Sequence, residues 1–145
     1  RTRTRRNFSE RGGGVVQFTR DPVAFVDAAL SVYEIDDPVL DSADAWVEVE
    51  VERVGSDREG DTDIVTWALE PVDSGVERRV VPTTNRGFYA VVEATVAASR
   101  LDVPGYDRAT LLDRLAYFER VVETAGGERE RTAFERIDEL VDAEW

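Results

Sequence analysis

Apolar residues alternate with acids from Ala45 to Val54, so that Val47, Val49 and Val51 fall on one side of the chain and Glu48, Glu50 and Glu52 on the other. A period of two marks a strand with one face buried and one solvated. A polar, glycine-containing stretch follows from Gly55 to Asp63, read as a turn, and the apolar pattern returns over Ile64 to Glu70. The two runs predict a hairpin. Val15 to Phe18 is β-favouring and Val76 to Val81 offers one more candidate, so three to four strands are expected in all.

Elsewhere the period is helical. Asp21-Pro22 joins an N-cap residue to proline at the first helical position, and Val23, Phe25, Val26, Ala29, Leu30 and Tyr33 follow at helical spacing until Asp36-Asp37-Pro38. Pro82 closes the β-rich part. Arg86 to Arg100 is apolar on most faces, which predicts a buried helix. Leu111, Leu115, Phe118 and Val122 form a stripe within Arg108 to Thr124, and Gly126-Gly127 ends that helix. A last helix, Glu128 to Ala143, is expected to bury Phe134, Ile137, Leu140 and Val141. Strands followed by helices, unalternated, predict an α+β fold with a β-rich domain over 1–82 and a helical C-terminal subdomain over 83–145. So few strands neither close a barrel nor cover both faces of a sheet. Either a partner supplies strands or the chain lacks an N-terminal part, and a first residue, Arg1, in mid-pattern makes an N-terminally incomplete chain the expectation.

Charge changes the picture. The 145 residues hold 31 Asp and Glu against 18 basic residues, all of them Arg, for a net charge of -13. Such self-repulsion weakens a compact fold in dilute buffer and is screened in molar salt, where the Debye length is about 3 Å. With Lys, Cys and Met all absent, a halophilic source is expected. Without Cys or His there is no disulfide, thiolate nucleophile, zinc-thiolate site or imidazole base. Carboxylate, Arg, hydroxyl or cofactor chemistry remains. No apolar run approaches the roughly 20 residues that span a bilayer, so no membrane association and a cytoplasmic location are expected. An acidic surface also makes nucleic acid an unexpected partner.

Two polar constellations are candidates for chemistry. Thr2-Arg3-Thr4-Arg5-Arg6-Asn7 collects guanidinium, hydroxyl and amide donors just before Gly12-Gly13-Gly14. These donors suit a phosphate, although a basic tail offsetting local acidic charge explains them as well. In the second, Arg86, Glu93 and Arg100 are spaced seven apart along one side of an apolar helix that begins after Asn85. Glu93 is either an acid/base group in a cleft or one end of a buried ion pair with an Arg; the ion pair is the expectation. Asp57 to Asp63 lacks the EF-hand ligand pattern and is read as a solvated turn, so no metal site is expected.

The order Arg-Thr-x-x-Asn, Gly-Val-Val-x-x-Thr-x-Asp-Pro-x-x-Phe-x-x-Ala-Ala-Leu, Asp-Ala-Trp-Val-Glu and Asn-Arg-Gly-Phe-Tyr-Ala-Val-Val-Glu-Ala-Thr-Val, from Arg3 to the last helix, resembles the mainly archaeal family called domain of unknown function 447. The resemblance implies part of an FMN-binding split β-barrel, flavin-reductase-like, followed by a helical C-terminal domain, and a homodimer with flavin as cofactor. It implies that the segment matching Arg3, Thr4 and Asn7 lies near the FMN phosphate and that the strand end matching Thr19 and Asp21 lies close to the flavin. Gln17 stands where relatives have Asn, and the family's Asn-Ala-Ala-Pro-type motif, which helps to hold the ring, has no counterpart in this sequence. Catalytic residues are not assigned. A non-catalytic binding or assembly protein is the alternative. Trp46, Trp67 and Trp145 are aromatic enough to stack on a flavin, but core packing is expected of them.

Overall fold

A computed structural model describes residues 3–32, 37–60 and 62–145. The basic N-terminal segment is a helix, α1 (Arg3–Arg11). Gly12 ends it with φ +68° and an amide bonded back to the Phe8 carbonyl, a left-handed closure that suits glycine. Then follow β1 (Gly13–Thr19), α2 (Pro22–Leu30), β2 (Ala43–Glu59), β3 (Thr62–Val76), α3 (Arg86–Ala98), α4 (Arg108–Ala125) and α5 (Glu128–Leu140). This is an α+β protein with one three-stranded antiparallel sheet among the described residues, in the order β1-β2-β3. The chain divides into two compact units, 1–19 with 36–80 and 20–35 with 81–145.

In the sheet unit the valine pattern sets the register: Val16 lies opposite Val47 and Val51 opposite Leu69. Trp46 lies opposite Gly75, where a Cβ would come within 2.6 Å of the indole, so the missing side chain makes room for the ring. Phe8 of α1 meets Trp67 edge to face at 5.6 Å.

Two strand expectations need correction. Gly55 to Asp63 is not a long turn: β2 continues to Glu59 and pairs from Gly55 opposite Thr66 to Glu59 opposite Thr62. A register shift between Arg53 and Gly55 absorbs the break in alternation, and a two-stranded ribbon open to water accepts polar residues on both faces. Asp61 lies outside the described residues. Val76 to Val81 is not a separate strand either. β3 runs without interruption through Pro71, which falls at a second register shift where the missing amide is tolerated. The ladder stops after Val76 because the amides of Glu77 and Arg78 both turn to the Asp44 carbonyl.

The helical unit holds α2, α3, α4 and α5 around Val26, Val91, Leu115, Val122 and Ile137, all essentially excluded from water. A Cβ on Gly87 would stand 2.5 Å from the Gly126 Cα, so the start of α3 and the end of α4 meet backbone to backbone. Asp21, Asn85 and Asp107 cap α2, α3 and α4 by accepting amide hydrogen bonds at the first turns. α2 is shorter than its apolar pattern suggests: the Ser31 amide and hydroxyl both return to the Asp27 carbonyl and end it. Tyr33 and Asp36 lie outside the described residues. Among the described residues, no helix is long and apolar enough to cross a membrane.

Candidate functional site

Arg3, Thr4 and Asn7 belong to α1. Thr4 is exposed, Asn7 half-buried, and their spacing of three places them on neighbouring positions of one face. Arg5 and Arg6 lie on the same helix, which makes α1 a basic element in an acidic chain. Arg1 and Thr2 lie outside the described residues. Guanidinium, hydroxyl and amide donors on one helix fit a phosphate group chemically. An open groove of about 660 Å3 at the C-terminal end of α1 fits one poorly, because Glu48, Glu50, Glu52 and Glu70 line it against a single Arg11.

Thr19 ends β1 and donates from Oγ1 to the Ser42 carbonyl at 3.2 Å. Ser42 lies in a tight turn from Leu40 to Ala43, closed by the Ala43 amide on the Leu40 carbonyl at 2.9 Å. Gln17, two residues before Thr19, clamps the same loop: Nε2 donates to the Pro38 carbonyl at 3.1 Å and Oε1 accepts from the Leu40 amide at 2.7 Å. The Arg78 guanidinium holds it from the far side, on the carbonyls of Ala43 at 2.8 Å and Asp41. The Ser42 hydroxyl oxygen is buried and has no hydrogen-bond partner among the described residues.

Asp21 follows two residues later and belongs to the helical unit. Oδ1 accepts from the amides of Val23 and Ala24, and Oδ2 pairs with Arg129 of α5. Partial burial works to raise the Asp21 carboxyl, but Arg129 and the two amides outweigh it and hold it below its ordinary value. One oxygen thus caps the start of α2 and the other is held by Arg129 of α5. The structure therefore places Thr4 and Asn7 together on α1, gathers Thr19 with Gln17, Ser42 and Arg78 at a clamped turn, and gives the Asp21 carboxylate a capping role.

The Glu93 expectation is corrected in one respect. Glu93 pairs with Arg114 of α4 at 3.4 Å, but the two side chains are 50% and 46% exposed, so the pair lies at the surface. Its helix is apolar toward the core and leaves this position to solvent. Among the described residues of the helical unit the buried carboxylate is Glu130, which the sequence analysis missed. Glu130 accepts from Asn85 Nδ2 at 2.9 Å and from the Gly127 amide at 2.7 Å, tying the starts of α3 and α5 together. A Glu three residues after the presumptive cap Gly127 was the available signal. All three tryptophans are packed or bonded internally: Trp46 over Gly75, Trp67 on Phe8, and Trp145 against Phe134 with its indole N–H on Glu119.

Residues 1–78 match the family model described as the N-terminal domain of a protein of unknown function (DUF447), and residues 85–139 match the C-terminal model of that protein of unknown function. A crystal structure of the FMN-bound protein MM1853 from Methanosarcina mazei, itself under the DUF447 model, is similar at a TM-score of 0.80 and 29% identity. The similarity covers 97% of this chain and 77% of that one. Two family models in the expected order, together spanning most of the sequence, establish that this chain belongs to the DUF447 family.

Proposed function

We propose that this protein is an FMN-binding flavoprotein whose sheet unit is part of a split barrel. The observation that carries this reading is the FMN-bound relative, similar over 97% of the chain. The basic face of α1 and the clamped turn beside Thr19 support it. Arg3, Thr4 and Asn7 are the residues we assign to the phosphate, and Thr19 to the flavin side. Asp21 acts there by fixing the turn that leads into α2. Bound FMN would supply electron or hydride transfer, with the chain positioning it in the manner of flavin reductases. Phe18, Leu69 and Val76 remain exposed on the sheet unit and support a homodimer, which light scattering would test. The Lys-free acidic composition supports a halophilic source, for which thermal stability should rise from dilute buffer to molar KCl.

FMN carries a phosphate that riboflavin lacks, and each charge-assisted bond to it contributes about 1.5–3 kcal/mol. Replacing Arg3 and Thr4 together with Ala should therefore weaken FMN by roughly two to four decades and leave riboflavin little changed. Flavin fluorescence quenching at fixed high salt measures both. Unchanged FMN affinity would remove the phosphate assignment, and equal losses for the two flavins would show damage to the fold or the ring pocket instead.

A further inference from the structure

α4, α5 and the segment after α5 line an open groove of about 420 Å3 that lies wholly within the helical unit. Its floor is apolar. Val122 of α4 and Phe134 of α5 belong to the core, and Trp145 packs edge to face on Phe134 at 6.2 Å while staying half-buried. Its rim is acidic. Glu119 accepts from the Trp145 indole N–H at 3.2 Å, but Glu123, Glu135, Asp138 and Glu144 are exposed and make no hydrogen bond or ion pair among the described residues. The arginine that also lines the groove, Arg131, donates from Nη1 to the Gly126 carbonyl at 2.9 Å. Elsewhere in the unit Asp21, Asp27, Glu93 and Glu139 each meet an arginine. Carboxylates gathered without such partners repel one another.

We propose that this groove binds an aliphatic polyamine, its methylene chain lying on Val122, Phe134 and Trp145 and its ammonium groups on the rim carboxylates. The layout of the charges selects that class. No group of three or more carboxylates converges to hold a metal ion among the described residues, so the negative charge suits a cation whose own charges are spaced apart. The apolar floor suits the carbon chain between those charges. The Trp145 ring adds attraction for an ammonium group. Access needs no rearrangement, because the groove is open and the four unpaired carboxylates already stand in solvent. The acidity is also local: five carboxylates against one arginine line the groove, a steeper ratio than the 31 to 18 of the whole chain. The groove shares no residue with the flavin assignment, and its occupancy is independent of it.

Calorimetric titration of the whole chain with spermidine, at fixed ionic strength and with Mg2+ as the comparison cation, tests this. Spermidine should saturate a single site that Mg2+ does not compete for. Replacing Glu135→Gln together with Asp138→Asn should weaken spermidine about tenfold, because two exposed ion pairs are lost. The control pair Asp113→Asn and Glu128→Gln removes the same charge from exposed positions of α4 and α5 outside the groove, and should leave the affinity unchanged. Trp145→Leu should weaken spermidine about fivefold. The indole N–H resonance that this variant lacks should be the one that shifts when spermidine is added to the parent. Absence of saturable spermidine binding would overturn the proposal, and so would unchanged affinity in the Glu135 and Asp138 pair. Equal losses in the groove and control pairs would overturn it by showing attraction to net charge alone, and displacement by Mg2+ by showing a site for a point charge. An arginine-rich peptide that binds where spermidine does not would give the groove to a protein partner and overturn it too.

Discussion

In the helical unit Val26, Val91, Leu115 and Ile137 are fully excluded from solvent, whereas among the apolar side chains described in the sheet unit Ala43 and Val49 are the buried ones and Phe18, Leu69 and Val76 stay open. The difference follows from geometry. Four helices present apolar stripes to one another and close a core without help, as the contiguous cluster from Val26 to Ile137 shows. Three strands have two faces and two edges, and α1 brings one aromatic ring, Phe8, against them. One unit is therefore self-sufficient in packing. The other is held in shape by specific polar ties, of which the Gln17 and Arg78 clamps are the clearest, and keeps apolar surface available.

The largest test of this contrast is a matched pair of truncations. Leu115→Ala should destabilise the protein by about 2–5 kcal/mol, since it opens a cavity in a closed core. Leu69→Ala, at a residue 44% exposed, should cost less than about 1 kcal/mol. Chemical denaturation of both variants measures the difference. A Leu69→Ala cost as large as that of Leu115→Ala would break the comparison and show that the sheet face is covered in solution.

A smaller effect is expected at the start of α2. Asp21→Ala removes the cap that accepts from Val23 and Ala24 and should cost about 1–2 kcal/mol near neutral pH. Its pH dependence has a fixed sign. The Asp21 carboxyl lies below its ordinary value in the folded protein, so its contribution is complete above the ordinary carboxylate range and fades as pH falls through the lowered value. The variant and the parent should therefore converge in stability under acid, measured by denaturation at a series of pH values. A gap that widens on acidification would contradict the assignment.

The smallest effect is expected from Glu93→Ala. An ion pair with both side chains about half exposed contributes at most about 1 kcal/mol, less in high salt. A loss of several kcal/mol would mean that the pair is buried in solution by a surface from elsewhere. This would sharpen the contrast from the other side, because it would make the helical unit depend on a partner as well.

How legible each part was depended on how local its cause was. The β2 alternation, the Asp21-Pro22 start of α2 and the Leu111–Val122 stripe are set by neighbours within a turn or two, and all three are present where the residues place them. The family could be read because several such motifs occur in one order. The strand limits were less legible, because Pro71 and the polar run after Gly55 are judged locally as breaks while cross-strand pairing absorbs both as register shifts.

Composition and periodicity by themselves determined the α+β class, most helices, the acidic Arg-only character and the absence of thiol and imidazole chemistry. Only the tertiary structure decided which polar groups meet. It put Glu93 at the surface and Glu130 inside, gave both Asp21 oxygens to a cap and an arginine, and left the Ser42 hydroxyl buried in a clamped turn. The reason is separation along the chain: Asp21 meets Arg129 across 108 residues, Asn85 meets Glu130 across 45 and Gln17 meets Leu40 across 23. Hydrogen bonds act over about 3 Å, so no period in the sequence encodes them until the fold has brought their ends together.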